Sequence, residues 1–163
     1  MTNRDREAEP AAADVDDAEP LEDDHPLWRE HSGGSGHYDD PEWCPAGDVN
    51  RAEAFYAQAG ERATAILDLL IDHPGCPVPA SEILTRSGNA FSNAHAVAGS
   101  LANLNEVRVL SERRYPFYWW KGEPGQTRYA MKRSVAELFR RARVATSERR
   151  RAADQDPIGP EPR

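Results

Sequence analysis

The sequence predicts an α+β fold in which helices precede a β-hairpin and a last helix closes the chain. Three observations carry this. Apolar residues recur at helical spacing from Ala52 to Leu70 and again from Ala94 to Leu104. The period then falls from 3.6 to 2 between Val107 and Lys132. Helical spacing returns from Val135 to Ala142.

Asp48 is suited to cap the first helix. Ala52, Phe55, Tyr56 and Ala59 follow i, i+3, i+4, i+7, and Gly60 breaks the run. Ala63, Ile66, Leu67 and Leu70 repeat the spacing, and Leu69 and Ile71 widen the stripe. A helix apolar on most sides belongs at the centre. His73-Pro74-Gly75 stops it. Residues 76–79 read as short and extended. A short helix is expected over about Ala80–Arg86, with Ile83 and Leu84 inward, then a turn at Gly88-Asn89. A longer helix is expected over residues 91–105, with Ala94, Val97, Ala98, Leu101 and Leu104 as its apolar set.

Val107 and Val109 alternate with Arg108, and residues 115–121 form a dense aromatic run of high β propensity. Pro124-Gly125 signals a turn within residues 122–126, and residues 127–132 alternate again, which together predict a hairpin. Ser134 and Glu137 have capping-box spacing before a helix striped by Val135, Leu138, Phe139 and Ala142.

The rest is tail. Residues 1–41 are rich in Asp, Glu, Ala, Pro and Gly and are expected to be a disordered acidic tail, because they offer too little apolar area to offset chain entropy. Leu27, Trp28, Tyr38 and Trp43 are large apolar groups of this region, and Trp43 is expected to dock on the domain. Residues 42–146 are the expected domain, and residues 147–163 a short, charged, disordered tail. The net charge of −8 conceals a division: residues 1–48 hold 15 acidic and 3 basic side chains, a net of −12, and the remainder is net +4. The folded part is thus mildly basic, and the overall charge is no argument against a nucleic-acid partner. The leader either folds back on that basic surface and competes with DNA or is a solubilising tail.

A short helix, a glycine-containing turn and a longer helix followed by a hairpin is the winged helix-turn-helix order. The supporting residues are Ile66-Leu67-Asp68-Leu69-Leu70 through His73-Pro74-Gly75, then His95-Ala96-Val97-Ala98-Gly99-Ser100-Leu101, Tyr118-Trp119-Trp120 and Ala136-Glu137-Leu138-Phe139-Arg140. In these, residues 48–145 resemble the winged helix-turn-helix superfamily. More narrowly, they are similar to an uncharacterised family of small winged-helix proteins, a domain of unknown function, from high-GC bacteria. The superfamily resemblance implies binding to double-stranded DNA. Helix 91–105 departs from a typical regulator in carrying no Arg or Lys.

If that helix enters a major groove, Asn93, His95, Ser100 and Asn103 are the expected readers, since Asn pairs bidentately with adenine and Ser or His reaches base edges or phosphates. Small Ala96 and Gly99 would permit close approach. The plain alternative is a polar solvent face or a partner-packing face. Arg113, Arg114, Lys121 and Arg128, on the expected hairpin over residues 113–132, would contact phosphates, or would simply be solvated. Adjacent Trp119 and Trp120 must face opposite sides of the sheet, so one is expected to be more exposed. Arg140, Arg141, Arg143 and Arg149–Arg151 form a basic face, which suits a helix C-terminus as well as a phosphate track.

Other chemistries find little support. His37, Cys44, His73 and Cys76 give soft and borderline ligands at unusual spacing, and Pro74-Gly75 explains the second pair as a turn, so no metal or other cofactor is expected. There is no phosphate-binding loop, dinucleotide fingerprint, nucleophile elbow or His-Glu-x-x-His motif, so no enzyme is expected. No run of about 18 apolar residues and no export signal occur, which predicts a cytoplasmic, non-membrane protein with reduced cysteines. The sequence therefore predicts a DNA-binding regulator or accessory factor, with a protein-interaction module on the same scaffold as the alternative. A homodimer or another protein partner is compatible with either.

Overall fold

The computed structural model describes residues 18–34, 36–88, 90–123 and 125–155. Among them the helices are Val49–Gln58 (α1), Glu61–Asp72 (α2), Ala80–Arg86 (α3), Ala94–Ala102 (α4), Asn105–Ser111 (α5) and Arg133–Gln155 (α6). The strands are Val78–Pro79 (β1), Tyr118–Trp120 (β2) and Arg128–Ala130 (β3). They make an antiparallel sheet of order β1-β3-β2, with Tyr129 opposite Val78 on one flank and Trp119 on the other. The architecture is α+β.

The local reasons are those of the sequence. Gly60, at φ +89°, turns the chain between α1 and α2 in a conformation that only glycine adopts freely. The apolar stripe of α2 is buried at Ala63, Ile66, Leu67, Leu70 and Ile71, placing this helix at the centre. α6 packs chiefly on α1 and also touches α2. Trp43, Phe55 and Phe139 meet edge-on at centroid distances of 5.0–5.7 Å and tie the entry of the domain to α1 and α6.

Four expectations need correction. Residues 107–109 are not a strand: they lie in α5, and the alternation is inverted, with Arg108 6% exposed and Val109 53% exposed. Helix 91–105 is shorter, running over Ala94–Ala102, because Asn93 caps it by accepting the Ala96 N–H at 2.9 Å. The Ser134–Glu137 capping box does not form. Instead the carboxylate of Asp23 accepts the N–H groups of Arg133 at 2.9 Å and Ser134 at 3.4 Å, and Glu137 pairs with Arg140. Residues 147–155 continue α6 rather than forming a loose tail, and Arg149 reaches Glu53 on α1 at 3.2 Å.

A fifth correction is the largest in extent. Residues 18–41 were expected to be disordered, yet they pack along the domain, with Trp28 2% and Tyr38 9% exposed. Trp28 sits against the rings of Tyr118 and Trp120, at 5.3 and 5.6 Å, and Tyr38 stacks on Tyr118. The leader also covers the outer edge of β2, where Ser32 N–H donates to Trp119 O at 2.7 Å and its hydroxyl accepts Lys121 N–H at 2.8 Å. Near its start, Leu21 N–H donates to Gly75 O at 2.9 Å, and a Cβ on Gly75 would lie 2.8 Å from Leu21 O. Some of the acidic side chains that suggested a solvated tail are ion partners, Asp40 with Arg108 and Glu22 with Arg133, and Glu42 just beyond them pairs with Arg114 and Lys132. The described part of the leader thus does fold back on basic side chains. Residues 1–17 and 156–163 lie outside the described residues. No helix among the described residues is long and apolar enough to cross a membrane.

Candidate functional site

α4 follows α3 across a turn that includes Gly88, at φ +68°. Val97 and Leu101 anchor it in the core. Of the expected readers, His95 and Asn103 are exposed on α4 or at its end. Asn93 is exposed but spends its side-chain oxygen on the helix cap. Ser100 is 8% exposed and faces the interior, so it cannot read a groove. Its placement follows from helical geometry, because it lies three residues from Val97.

The expected phosphate contacts divide in the same way. Arg113 and Arg114 precede the hairpin and are internal ion-pair partners. Arg113 forms a two-pronged contact with Asp48, at 2.9 and 3.1 Å. Asp48 is 3% exposed and also accepts the Cys44 N–H at 2.7 Å and Arg51 Nε at 3.3 Å. Burial alone would raise its carboxyl, but the Arg113 and Cys44 hydrogen bonds outweigh that and hold it below the usual carboxylate range. Arg114 donates to Asp40 O at 3.1 Å and approaches Glu42 at 3.5 Å. Lys121 and Arg128 flank the hairpin loop, are exposed, and form no ion pair among the described residues. On α6, Arg143 pairs with Asp72 at 2.8 Å and Arg140 with Glu137 at 2.7 Å, so much of the basic face is neutralised internally.

Between α4 and the sheet lies an open cleft of about 450 Å³. Its helical wall is Ala98, Leu101 and Ala102, and its sheet wall is the cross-strand pair Trp119 and Tyr129. Tyr115 and Phe117, stacked at 4.9 Å, continue the aromatic surface. The leader contributes His37, whose ring lies 5.1 Å from Tyr115. Asn105, Lys121 and Thr127 supply the remaining polar lining. The opposite sheet face is closed by Trp28, so of the adjacent tryptophans Trp120 is buried and Trp119 is half-exposed, as the alternation requires.

Sequence reading missed this cleft. Ala98 fits the apolar stripe of its helix and was assigned to the core, but it and Ala102 are exposed. The available signal was the pair of alanines four residues apart, which stack on one helix face and leave a hollow there. His37 could not be placed, because its segment was read as disordered.

Of the cysteine and histidine set, His37 lines the cleft, whereas Cys76 and His73 have partners elsewhere. Cys76 lies 3.8 Å from Ala18 O, and His73 Nδ1 lies 2.9 Å from Leu69 O. Among the described residues, no group of three His, Cys, Asp or Glu side chains is placed to hold a metal ion.

Neither a curated protein nor a solved structure matches the chain. A family model does, over residues 49–146, from the start of α1 well into α6. The chain belongs to that family, the family of unknown function DUF6416.

Proposed function

We propose that the chain binds double-stranded DNA on a winged helix-turn-helix scaffold, as a regulator or accessory factor. The observation that carries the reading is the topology: β1, α3, a turn and α4 are followed, after the short α5, by a hairpin whose second strand pairs back on β1. That order presents α4 and the hairpin loop side by side, as a groove-reading helix and its flanking wing require. His95 and Asn103 are then the side chains offered to base edges, and Lys121 and Arg128 those offered to phosphates.

Two unpaired cations make this a weak electrostatic binder. Each phosphate neutralised contributes about 0.9 to the slope of log affinity against log salt, so the expected slope is about −2. A second reading is favoured by one observation: the outward positions Ala98, Gly99 and Ala102 of α4 carry no charge, as the centre of a protein interface requires.

The test is fluorescence anisotropy of the full chain with a labelled random duplex, from about 50 to about 200 mM salt. Binding with a slope near −2, lost on replacing Lys121 and Arg128 together by Ala, supports the DNA reading. No binding at the lowest salt, or binding indifferent to both substitutions, overturns it in favour of a protein partner.

A further inference from the structure

The cleft between α4 and the sheet has the size and lining of a small-molecule site. Protein interiors hold few voids larger than a water molecule, and ligand pockets run from about 300 to about 1,000 Å³. At about 450 Å³ the cleft falls within that range. Two alanines on one wall face an indole and a phenol ring on the other. Such a slot suits a flat apolar body, which gains from contact with aromatic faces.

The polar groups specify the rest of the occupant. Tyr129 lines the cleft, and its hydroxyl forms no hydrogen bond among the described residues, which leaves it available to an occupant. Lys121 is a cation in the lining that forms no ion pair among the described residues. The Asn105 side-chain oxygen accepts from Arg108 at 3.2 Å, which leaves its amide N–H groups free to donate. Hydrogen-bond donors and one positive charge therefore border an aromatic slot, and the described lining residues include no carboxylate.

We propose that this cleft binds a small planar aromatic carboxylate, with its ring system between Ala98/Ala102 and Trp119 and its carboxylate toward Lys121 and the Tyr129 hydroxyl. The proposal stands apart from DNA binding, since none of its contacts requires a duplex.

The probe is 2-naphthoate, titrated calorimetrically into the full-length protein, with 2-naphthalenemethanol as a ring-matched neutral control. A ligand of this size at ordinary efficiency gives a dissociation constant of about 0.1–1 mM. The expected result is saturable one-to-one binding of naphthoate, about tenfold tighter than the alcohol. Ala98→Leu fills the slot from an exposed helical position and should abolish binding while leaving the thermal midpoint within a few degrees of wild type. Lys121→Met should remove the preference for naphthoate over the alcohol. Absence of saturable binding up to about ten times the expected dissociation constant overturns the site. Equal binding by a folded Ala98→Leu variant also overturns it. An unchanged preference in Lys121→Met overturns the assignment of an anionic ligand. Lys121 serves both readings, but naphthoate binding and its loss in Ala98→Leu are read without DNA, so the cleft and the DNA reading fail separately.

Discussion

At the scale of single residues, the interior places its charges where each has a partner. Asp48 is the clearest case, because three donors converge on one buried carboxylate. Asp48→Ala strands Arg113 and leaves the Cys44 N–H unpaired. Breaking a buried pair from one side costs about 3–5 kcal/mol; with Arg113 at 19% side-chain exposure the lower end applies, about 3 kcal/mol in urea unfolding. A loss below about 1 kcal/mol would show that the Arg51–Asp48–Arg113 cluster does not hold α1 to the segment before β2. Arg108 makes the same point about legibility. Sequence alternation shows only Arg108 set between two valines. In the structure Arg108 is buried while Val109 is exposed, because Asp40 stands 2.8 Å from the guanidinium and the Tyr115 ring lies beneath it at 5.7 Å. Both partners are distant or out of register, so no local pattern could reveal them.

At the scale of elements, the helices with uninterrupted apolar stripes were legible. α1, α2 and α3 fall where spacing and stop signals put them, because each takes its burial from its own sequence pattern. The leader was not legible, because its order depends on surfaces that form only after the hairpin exists. Its anchor is Trp28, whose indole N–H donates to Glu22 O at 2.8 Å while its ring packs under the sheet. Trp28→Ala is expected to destabilise the full chain by about 3–5 kcal/mol, the usual cost of deleting a fully buried indole. The same change should expose residues 18–41 to limited proteolysis. An unchanged urea midpoint together with unchanged protease resistance would mean that the leader is not part of the cooperative unit. α6 adds a case in which the cap lies far away: Asp23 meets its first N–H groups from 110 residues upstream, where a local capping box was expected.

At the scale of the whole molecule, ionisable groups bound the pH range of stability from both sides. Asp48 has a lowered folded pKa, so its contribution is present above the ordinary carboxylate range and is lost as pH falls through the folded value. His31 is lowered by burial first and by Arg114 and Lys132 next. The unfolded chain takes up its proton before the folded one does, so stability also declines as pH drops below about 6.5. Burial raises the Tyr38, Tyr56, Tyr115 and Tyr129 hydroxyls. For these, stability is complete below about pH 10 and declines above it, where the unfolded phenols ionise first. Urea midpoints measured from pH 4 to pH 11 should form a plateau between about 7 and 9.5, with a mild acid-side decline beginning near His31's range. A midpoint still rising above pH 10 would contradict the burial of these phenols. The docked leader also has a consequence for synthesis. Trp120 and Leu27 are 93 residues apart, and Ser134 and Asp23 are 111 apart. A ribosome adding about 5–20 residues per second therefore releases the leader roughly 5–20 seconds before its docking surface exists. Through that interval Trp28 and Tyr38 have no sheet to pack on, and Asp40 gains its ion partner only once Arg108 has been added.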